Sequence, residues 1–311
     1  MGIPEMTIMK ILKRPFHLGA GLTFLLLAAC SPLPGIPLAP GIGYEQKIET
    51  GAVPERVHIV FIDLQQPGLR FAVTSGDNTR GMEHVARLTS AYLAESGARL
   101  GFNASYFLPF KGGSKGGEDY YPHVGDPVNV SGAAIAQGVA ISPVETDLDD
   151  RVDSMLCFKQ ARVVIVDGQQ CPAHYTDGVA AGPRLLRAGQ AVASTLPYAT
   201  QRHPRTAFGI SKDGRRAWVV IVDGRQPDSA GMPLADLTAL FVTLGANDAI
   251  NLDGGGSSTL VTADGHGGAK LLNRPIHTGI VGRERPVANH ILLFVPGKPG
   301  PLPDLNVPAT P

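Results

Sequence analysis

Ala249-Ile250-Asn251-Leu252 runs directly into Asp253-Gly254-Gly255-Gly256-Ser257-Ser258-Thr259, and the two halves of this stretch follow different rules. The first is a short apolar run of the kind that forms a strand buried on both faces. The second places an acid before three glycines and hydroxyls after them. Glycine loses more backbone entropy on folding than any other residue, so three in a row mark positive φ angles or a close approach of chain or ligand. The plain alternative is a tight strand connection. A P-loop is excluded, because no lysine follows the glycines.

Working outward, Pro233 opens a segment in which Leu237, Leu240, Phe241 and Leu244 form an apolar stripe and Gly245 ends it, predicting a helix. Residues 217–223 before it, and 249–252 after it, read as strands, giving strand, helix, strand. Residues 206–211 and 291–295 are further buried strands, while residues 57–64 and 69–74, joined by Gln65-Gln66-Pro67-Gly68, predict a hairpin. Val85, Leu88 and Tyr92 recur at helical spacing within residues 82–97, where Gly97 can cap the end. Residues 109–127 are polar and punctuated, which predicts a loop over a site. With 38 glycines and 26 prolines, turns and loops are abundant. The expected fold class is α/β (mixed α+β), with a central mixed β-sheet flanked by helices and long connecting loops.

The ends read as address and tether. Lys10, Lys13 and Arg14 precede an apolar run over residues 18–29, too short to span a bilayer comfortably; Met9 is an alternative start. Its end, Leu27-Ala28-Ala29-Cys30, resembles a bacterial lipobox with Cys30 as the lipidated residue. We therefore expect a lipoprotein signal peptide over 1–29, a Pro-rich tether over 30–43, a folded domain over 44–297 and a disordered tail over 298–311. The expected location is an exported bacterial lipoprotein held to a membrane by an N-terminal lipid anchor, facing the periplasm. Ser31 lacks the acidic signal of inner-membrane retention and favours the outer membrane. In that compartment Cys157 and Cys171 are expected to form a disulfide; no companion Cys or His has ligand spacing nearby. Lys plus Arg equals Asp plus Glu at 27 each, so no overall field recruits nucleic acid.

Cations near strand ends form a second group: Gly182-Pro183-Arg184 and Arg202-His203-Pro204-Arg205-Thr206. Arginine offers a planar fork that matches phosphate or carboxylate oxygens. Asp223-Gly224-Arg225 places a carboxylate where another strand ends. His123 and His203 lie beside these motifs, while the remaining histidines lack zinc-type spacing. Asp147-Leu148-Asp149-Asp150 has the oxygen-rich character of a calcium loop, with a solvated turn as the alternative.

In order along the chain, Asn103-Ala104-Ser105-Tyr106-Phe107, Gly182-Pro183-Arg184-Leu185, Arg205-Thr206-Ala207, Asp223-Gly224-Arg225, residues 251–258 and Arg285-Pro286-Val287-Ala288-Asn289 resemble the phosphodiester glycosidase family. The resemblance implies hydrolysis of the bond between a sugar's anomeric carbon and a phosphodiester oxygen, on a carbohydrate phosphodiester of envelope or exopolysaccharide material. It implies that Asp253 supports an oxocarbenium-like transition state. Asp223 or Glu284 would position water or a metal ion. Arg184, Arg205 and Arg285 are the candidates to hold the anion. Asn103 and Asn251 would hydrogen-bond sugar hydroxyls or hold the loop, with Tyr106, Thr206, Gly254, Gly255, Gly256 and Ser257 also against substrate. No cofactor is required; calcium or magnesium is the possible addition. One departure stands out: the family carries Asn-Gly-Gly before the aromatic pair, whereas Ala104 and Ser105 stand here, so the backbone is expected to approach a ligand less closely. Two other readings differ in class. One is a non-catalytic envelope lipoprotein that binds polysaccharide or peptidoglycan. The other is a serine hydrolase using Ser257 or Ser258, which lacks the Gly-x-Ser-x-Gly spacing.

Overall fold

The apolar runs do become strands buried on both faces, but in an antiparallel sheet. In space the order is Ile36–Ala39, Ile42–Glu49, Glu55–Asp63, Arg216–Val222, Arg205–Ile210, Asp248–Asn251, Arg184–Arg187 and Gln190–Ala191, and every adjacent pair is antiparallel. Alternation along Arg216–Val222 shows how both faces are used. Trp218, Val220 and Val222 enter one hydrophobic cluster, and Ala217, Val219 and Ile221 the other. The computed structural model describes residues 1–2, 33–146, 151–297, 300–302 and 305. Leu33–Pro311 is one compact unit; of the other, Met1–Pro32, only residues 1–2 are described. The expected signal peptide, Cys30 and the segment Asp147-Leu148-Asp149-Asp150 lie outside the described residues.

One face of this sheet is covered by two five-stranded sheets. The first runs Ala269–Leu271, Leu260–Ala263, Leu100–Asn103, His290–Phe294, Arg70–Val73, and the second Val139–Ser142, Ala134–Ala136, Asp177–Ala181, Ser154–Lys159, Arg162–Asp167. The main core joins all three through Val60, Phe208, Phe102, Leu293, Leu156 and Val179. The opposite face is covered by helix α2, Leu234–Leu244, whose Leu237 and Phe241 are fully buried. Each such side chain contributes on the order of 2 kcal/mol by leaving water. Gly245 ends this helix at φ 84°, as the sequence predicts. Helix α1, Thr89–Ser96, is the other α-helix among the described residues.

The chain is therefore mainly β, and the expected mixed α/β sheet flanked by helices is corrected. Strand, helix, strand is present, but Arg216–Val222 and Asp248–Asn251 both pair antiparallel with Arg205–Ile210, which lies between them. The expected hairpin over 57–74 is not formed. The turn is there, yet Arg70–Val73 pairs with His290–Phe294 in a different sheet from Glu55–Asp63. The helix predicted over 82–97 is confined to its second half, because His84–Val85 pairs with Pro127–Val130. The tether expected over 30–43 contains the strand Ile36–Ala39, paired Ile36 to Tyr44, with Leu38 and Ile42 buried. An edge strand tolerates Pro37. In the tail, Leu302 and Leu305 pack against the main core. Cys157 and Cys171 are disulfide-bonded.

Candidate active site

Antiparallel pairing brings four strand ends to one place. Arg205 begins its strand opposite Val222, the last residue of its neighbour, and Ala207 lies opposite Asn251 at the end of the next strand. On the far side of that strand, Arg184 lies opposite Ile250. The loops leaving these ends surround a cavity of about 420 Å³ lined by Tyr106, Phe107, Leu108, Phe110, Ser131, Arg151, Val152, Tyr198, His203, Arg205, Arg225, Asn251, Asp253, Gly254, Gly255, Gly256 and Arg285. Its size suits a small ligand. Among these described residues Asp253 is the one carboxylate, and it faces four guanidinium groups.

The glycine run has a steric reason. Gly255 has φ +61°, in the left-handed region, within a 3₁₀ turn over Gly255–Ser257. At Gly256 a Cβ would stand 2.7 Å from Cζ of Arg285 and 2.9 Å from the Ile276 carbonyl oxygen. Only glycine lets that arginine lie against the turn. Arg285 then donates from Nη1 to Ser257 Oγ at 3.2 Å and from Nε to His277 Nδ1 at 3.2 Å.

Asp253 is fixed through its backbone. Its N–H donates to the Ala104 carbonyl at 2.9 Å, and its carbonyl accepts from Asn103 Nδ2 at 2.6 Å. Asn103 Oδ1 accepts from Thr206 Oγ1 at 2.9 Å and from the Thr259 amide at 3.1 Å. One buried amide thus grips both ends of the glycine turn. Burial raises the Asp253 carboxyl from the ordinary 3.8 to about 6; a hydrogen bond with Ser257 and the charge of Arg285 oppose the rise without cancelling it.

The cations are equally constrained. Arg205 donates from Nε to the Met232 carbonyl and from Nη2 to the carbonyls of Tyr198 and Gln201, at 2.9, 3.1 and 2.9 Å. Burial lowers Arg205 and Arg285 to about 10, which leaves both charged at neutral pH. Arg225, at φ 58°, donates to His203 Nδ1 at 3.2 Å. Since a guanidinium only donates, His203 carries its ring proton on Nε2, facing Gln201 Oε1 at 3.0 Å.

Asn251 is buried, and its Nδ2 donates to the Tyr106 hydroxyl, the Gly182 carbonyl and the Leu252 carbonyl at 3.0, 2.9 and 2.8 Å. Its Oδ1 has no partner within the protein. A buried acceptor lacking a partner is costly.

The profile of a family described as phosphodiester glycosidase matches residues 96–294, more than half of the 311-residue chain. The chain belongs to the phosphodiester glycosidase family. The fold of this family member is similar to that of the catalytic domain of zebrafish N-acetylglucosamine-1-phosphodiester alpha-N-acetylglucosaminidase auto-inhibited by its pro-peptide. That match has a TM-score of 0.60 at 17% identity, over 85% of this chain and 87% of that one. A hypothetical protein from Synechocystis matches at TM-score 0.56 and 17% identity, over 86% of this chain and 65% of that one. In sequence, 57 residues are 44% identical to an uncharacterized SPbeta prophage-derived protein of Bacillus subtilis (strain 168), covering 18% of this chain and 9% of that protein.

Within this glycosidase family member the sequence-predicted residues divide. Asp253, Arg205, Arg285, Asn251, Tyr106 and the three glycines meet at the cavity. Ser257 stands behind it as the link between Arg285 and Asp253. Asn103 and Thr206 hold the turn and do not line the cavity. Three expected roles are corrected. Arg184 lies outside the cavity lining: its guanidinium is engaged by Asp248, by Asp167 at 3.4 Å and by the Leu186 carbonyl at 2.8 Å. Asp223 is fully buried and accepts from Asn273 Nδ2 at 3.1 Å and the Arg274 amide at 3.0 Å, with His58 Nε2 at 3.1 Å. Because Asn273 also donates to the Ser258 carbonyl at 3.0 Å, Asp223 braces the glycine turn from behind. Glu284 accepts from the amide and hydroxyl of Ser90 at the start of α1, where a carboxylate satisfies an end-of-helix N–H.

The family departure has no effect on the cavity lining. Ala104 and Ser105 are buried, and Ser105 exchanges hydrogen bonds with Asn289 at 2.9 and 3.1 Å. No three of His, Cys, Asp and Glu gather among the described residues into a metal-holding group. Sequence reasoning missed Arg151, Arg225 and Tyr198. For Arg225 the signal was the Asp-Gly-Arg turn, whose carboxylate drew attention away from its guanidinium.

Proposed function

We propose that this protein hydrolyses the glycosidic bond of a sugar 1-phosphodiester in envelope or exopolysaccharide material, acting as a lipid-anchored exported enzyme. The observation that carries the reading is one carboxylate with a raised pKa set among four arginines, with no second acid among the described lining residues. A glycosidase acting on an ordinary alcohol needs an acid to protonate the leaving oxygen. A phosphate needs no such help, because it departs as a stable anion, and the guanidinium groups favour that charge.

In this reading the phosphodiester anion sits against Arg285, Arg225 and Arg205. The bond from the anomeric carbon to oxygen breaks with its electron pair leaving on the phosphate. Water adds to the anomeric carbon and passes a proton to Asp253. With its pKa near 6, that group is ionised at pH 7 yet basic enough to accept a proton. The products are a free sugar and a phosphomonoester. The anchor rests on Leu27-Ala28-Ala29-Cys30 following a basic and then apolar leader; loss of labelled-palmitate incorporation in Cys30→Ser tests it.

For the reaction, the purified protein is offered a panel of sugar 1-phosphodiesters in ¹⁸O-water. The expected result is phosphomonoester release with the label on the sugar. Label on the phosphate would show cleavage at phosphorus and reject the mechanism. Tight binding of the panel without turnover would leave a carbohydrate-binding protein in its place.

A further inference from the structure

A phosphodiester has two arms, and the site described above accounts for only one. Arg285 lies between two unlike neighbours. On one side Nη1 reaches Ser257, which hydrogen-bonds Asp253. On the other its Cζ stands 4.5 Å from the centroid of the Phe110 ring. A phosphate held at Arg285 that presents its sugar to Asp253 therefore directs its second ester arm over Phe110 and toward Leu108.

That direction is apolar. Leu108 and Phe110 line the cavity, yet they remain 59% and 43% exposed. They are also held in place. Phe107–Leu108 pairs with Pro127–Val130, Lys111 and Tyr121 exchange backbone hydrogen bonds at 3.0 and 2.9 Å, and Phe107 packs edge-on against Phe110 at 5.9 Å. A preformed apolar lip beside an anion site gains by binding a hydrophobic group, because little ordering is needed on association.

We infer that the alcohol esterified to the phosphate is a hydrophobic one, an alkyl or polyprenyl chain, and that Leu108 and Phe110 form the subsite that receives it. The inference takes its direction from the glycosidase reading of Asp253 and Arg285. A chain laid on this lip would tighten binding roughly fourfold for each methylene removed from water, until it outruns the two side chains.

The test uses the full-length protein and two series. Methyl, butyl and octyl phosphate are titrated by calorimetry below their micellar concentrations, and the corresponding sugar 1-(alkyl phosphate) diesters are compared by kcat/KM. The expected octyl-to-methyl ratio is tenfold or more in both series. It collapses toward one in Leu108→Ser/Phe110→Ser and persists in Val124→Ser, an exposed apolar residue outside the cavity lining. A flat wild-type series overturns the inference. So does a ratio that the double variant leaves intact, or a double variant that instead weakens binding of the free sugar, which would assign the lip to the sugar ring. Equal cleavage of all diesters would reject the subsite and keep the glycosidase; a calorimetric gradient without cleavage would do the reverse.

Discussion

Replacing Asp253 with Asn should both silence the enzyme and stabilise it, and the second effect has a sign and a pH window fixed by the structure. The folded-state pKa of about 6 lies above the ordinary 3.8, so folding favours the protonated carboxyl. Below pH 4 both folded and unfolded chains are protonated and ionisation costs nothing. As pH rises, the unfolded chain ionises first, and wild-type stability falls until the folded carboxyl also ionises just above pH 6. A difference of about two pKa units corresponds to roughly 3 kcal/mol at about 1.4 kcal/mol per unit. Asn does not titrate, so the stability of Asp253→Asn relative to wild type should rise by about that amount between pH 4 and pH 7. For a domain of this size that is an upward shift of about 5–10 °C in relative Tm. Thermal melts of both proteins at pH 4, 5, 6 and 7, followed by circular dichroism, measure it directly. Parallel stability curves would refute the claim that burial of this carboxyl is opposed by folding. Turnover of a sugar 1-phosphodiester should fall at least about a thousandfold over the same range.

Four further outcomes separate holding residues from reacting ones. Asn103→Ala removes three buried hydrogen bonds and should lower stability by about 2–4 kcal/mol together with kcat, as read by urea denaturation and initial rates. Glu284→Gln should keep kcat/KM within a few-fold while loosening the start of α1. Asp223→Asn should lower urea stability while reducing kcat far less than Asp253→Asn does, because Asp223 acts through Asn273; equal losses would return Asp223 to the chemistry. Gly256→Ala should raise KM for the phosphodiester tenfold or more by displacing Arg285, and should also lower Tm, because its Cβ meets the Ile276 carbonyl oxygen as well as the guanidinium.

The sequence made the strands legible where burial dominates, as at residues 217–223 and 249–252, because a run apolar on both faces has few alternatives. It misled on architecture for the same reason. Such runs are usual in parallel sheets covered by helices, whereas here sheets cover one face and α2 the other. Local signals located the turn at Pro67-Gly68 but carried no information on which strand Arg70–Val73 would join. Within the site, Asp253 and its glycines were legible because their chemistry is local. That Arg184 and Asp223 stand outside the cavity lining was not legible, because each is held by a partner distant in sequence, Asp248 for one and Asn273 for the other. Arg225 was passed over for the opposite reason: its turn looked complete in itself.

The grip of Asn103 has a consequence for when activity can begin. Its side chain joins Leu100–Asn103, a strand of one sheet, to Thr206, in a strand of another, and to both ends of the turn that carries Asp253. The Asp253 carboxylate is therefore oriented only after the two sheets have docked. A chain in which either sheet had formed alone would contain every residue of the site and still be inert, so hydrolytic competence should emerge in one late step during refolding, together with closure of the sheet interface.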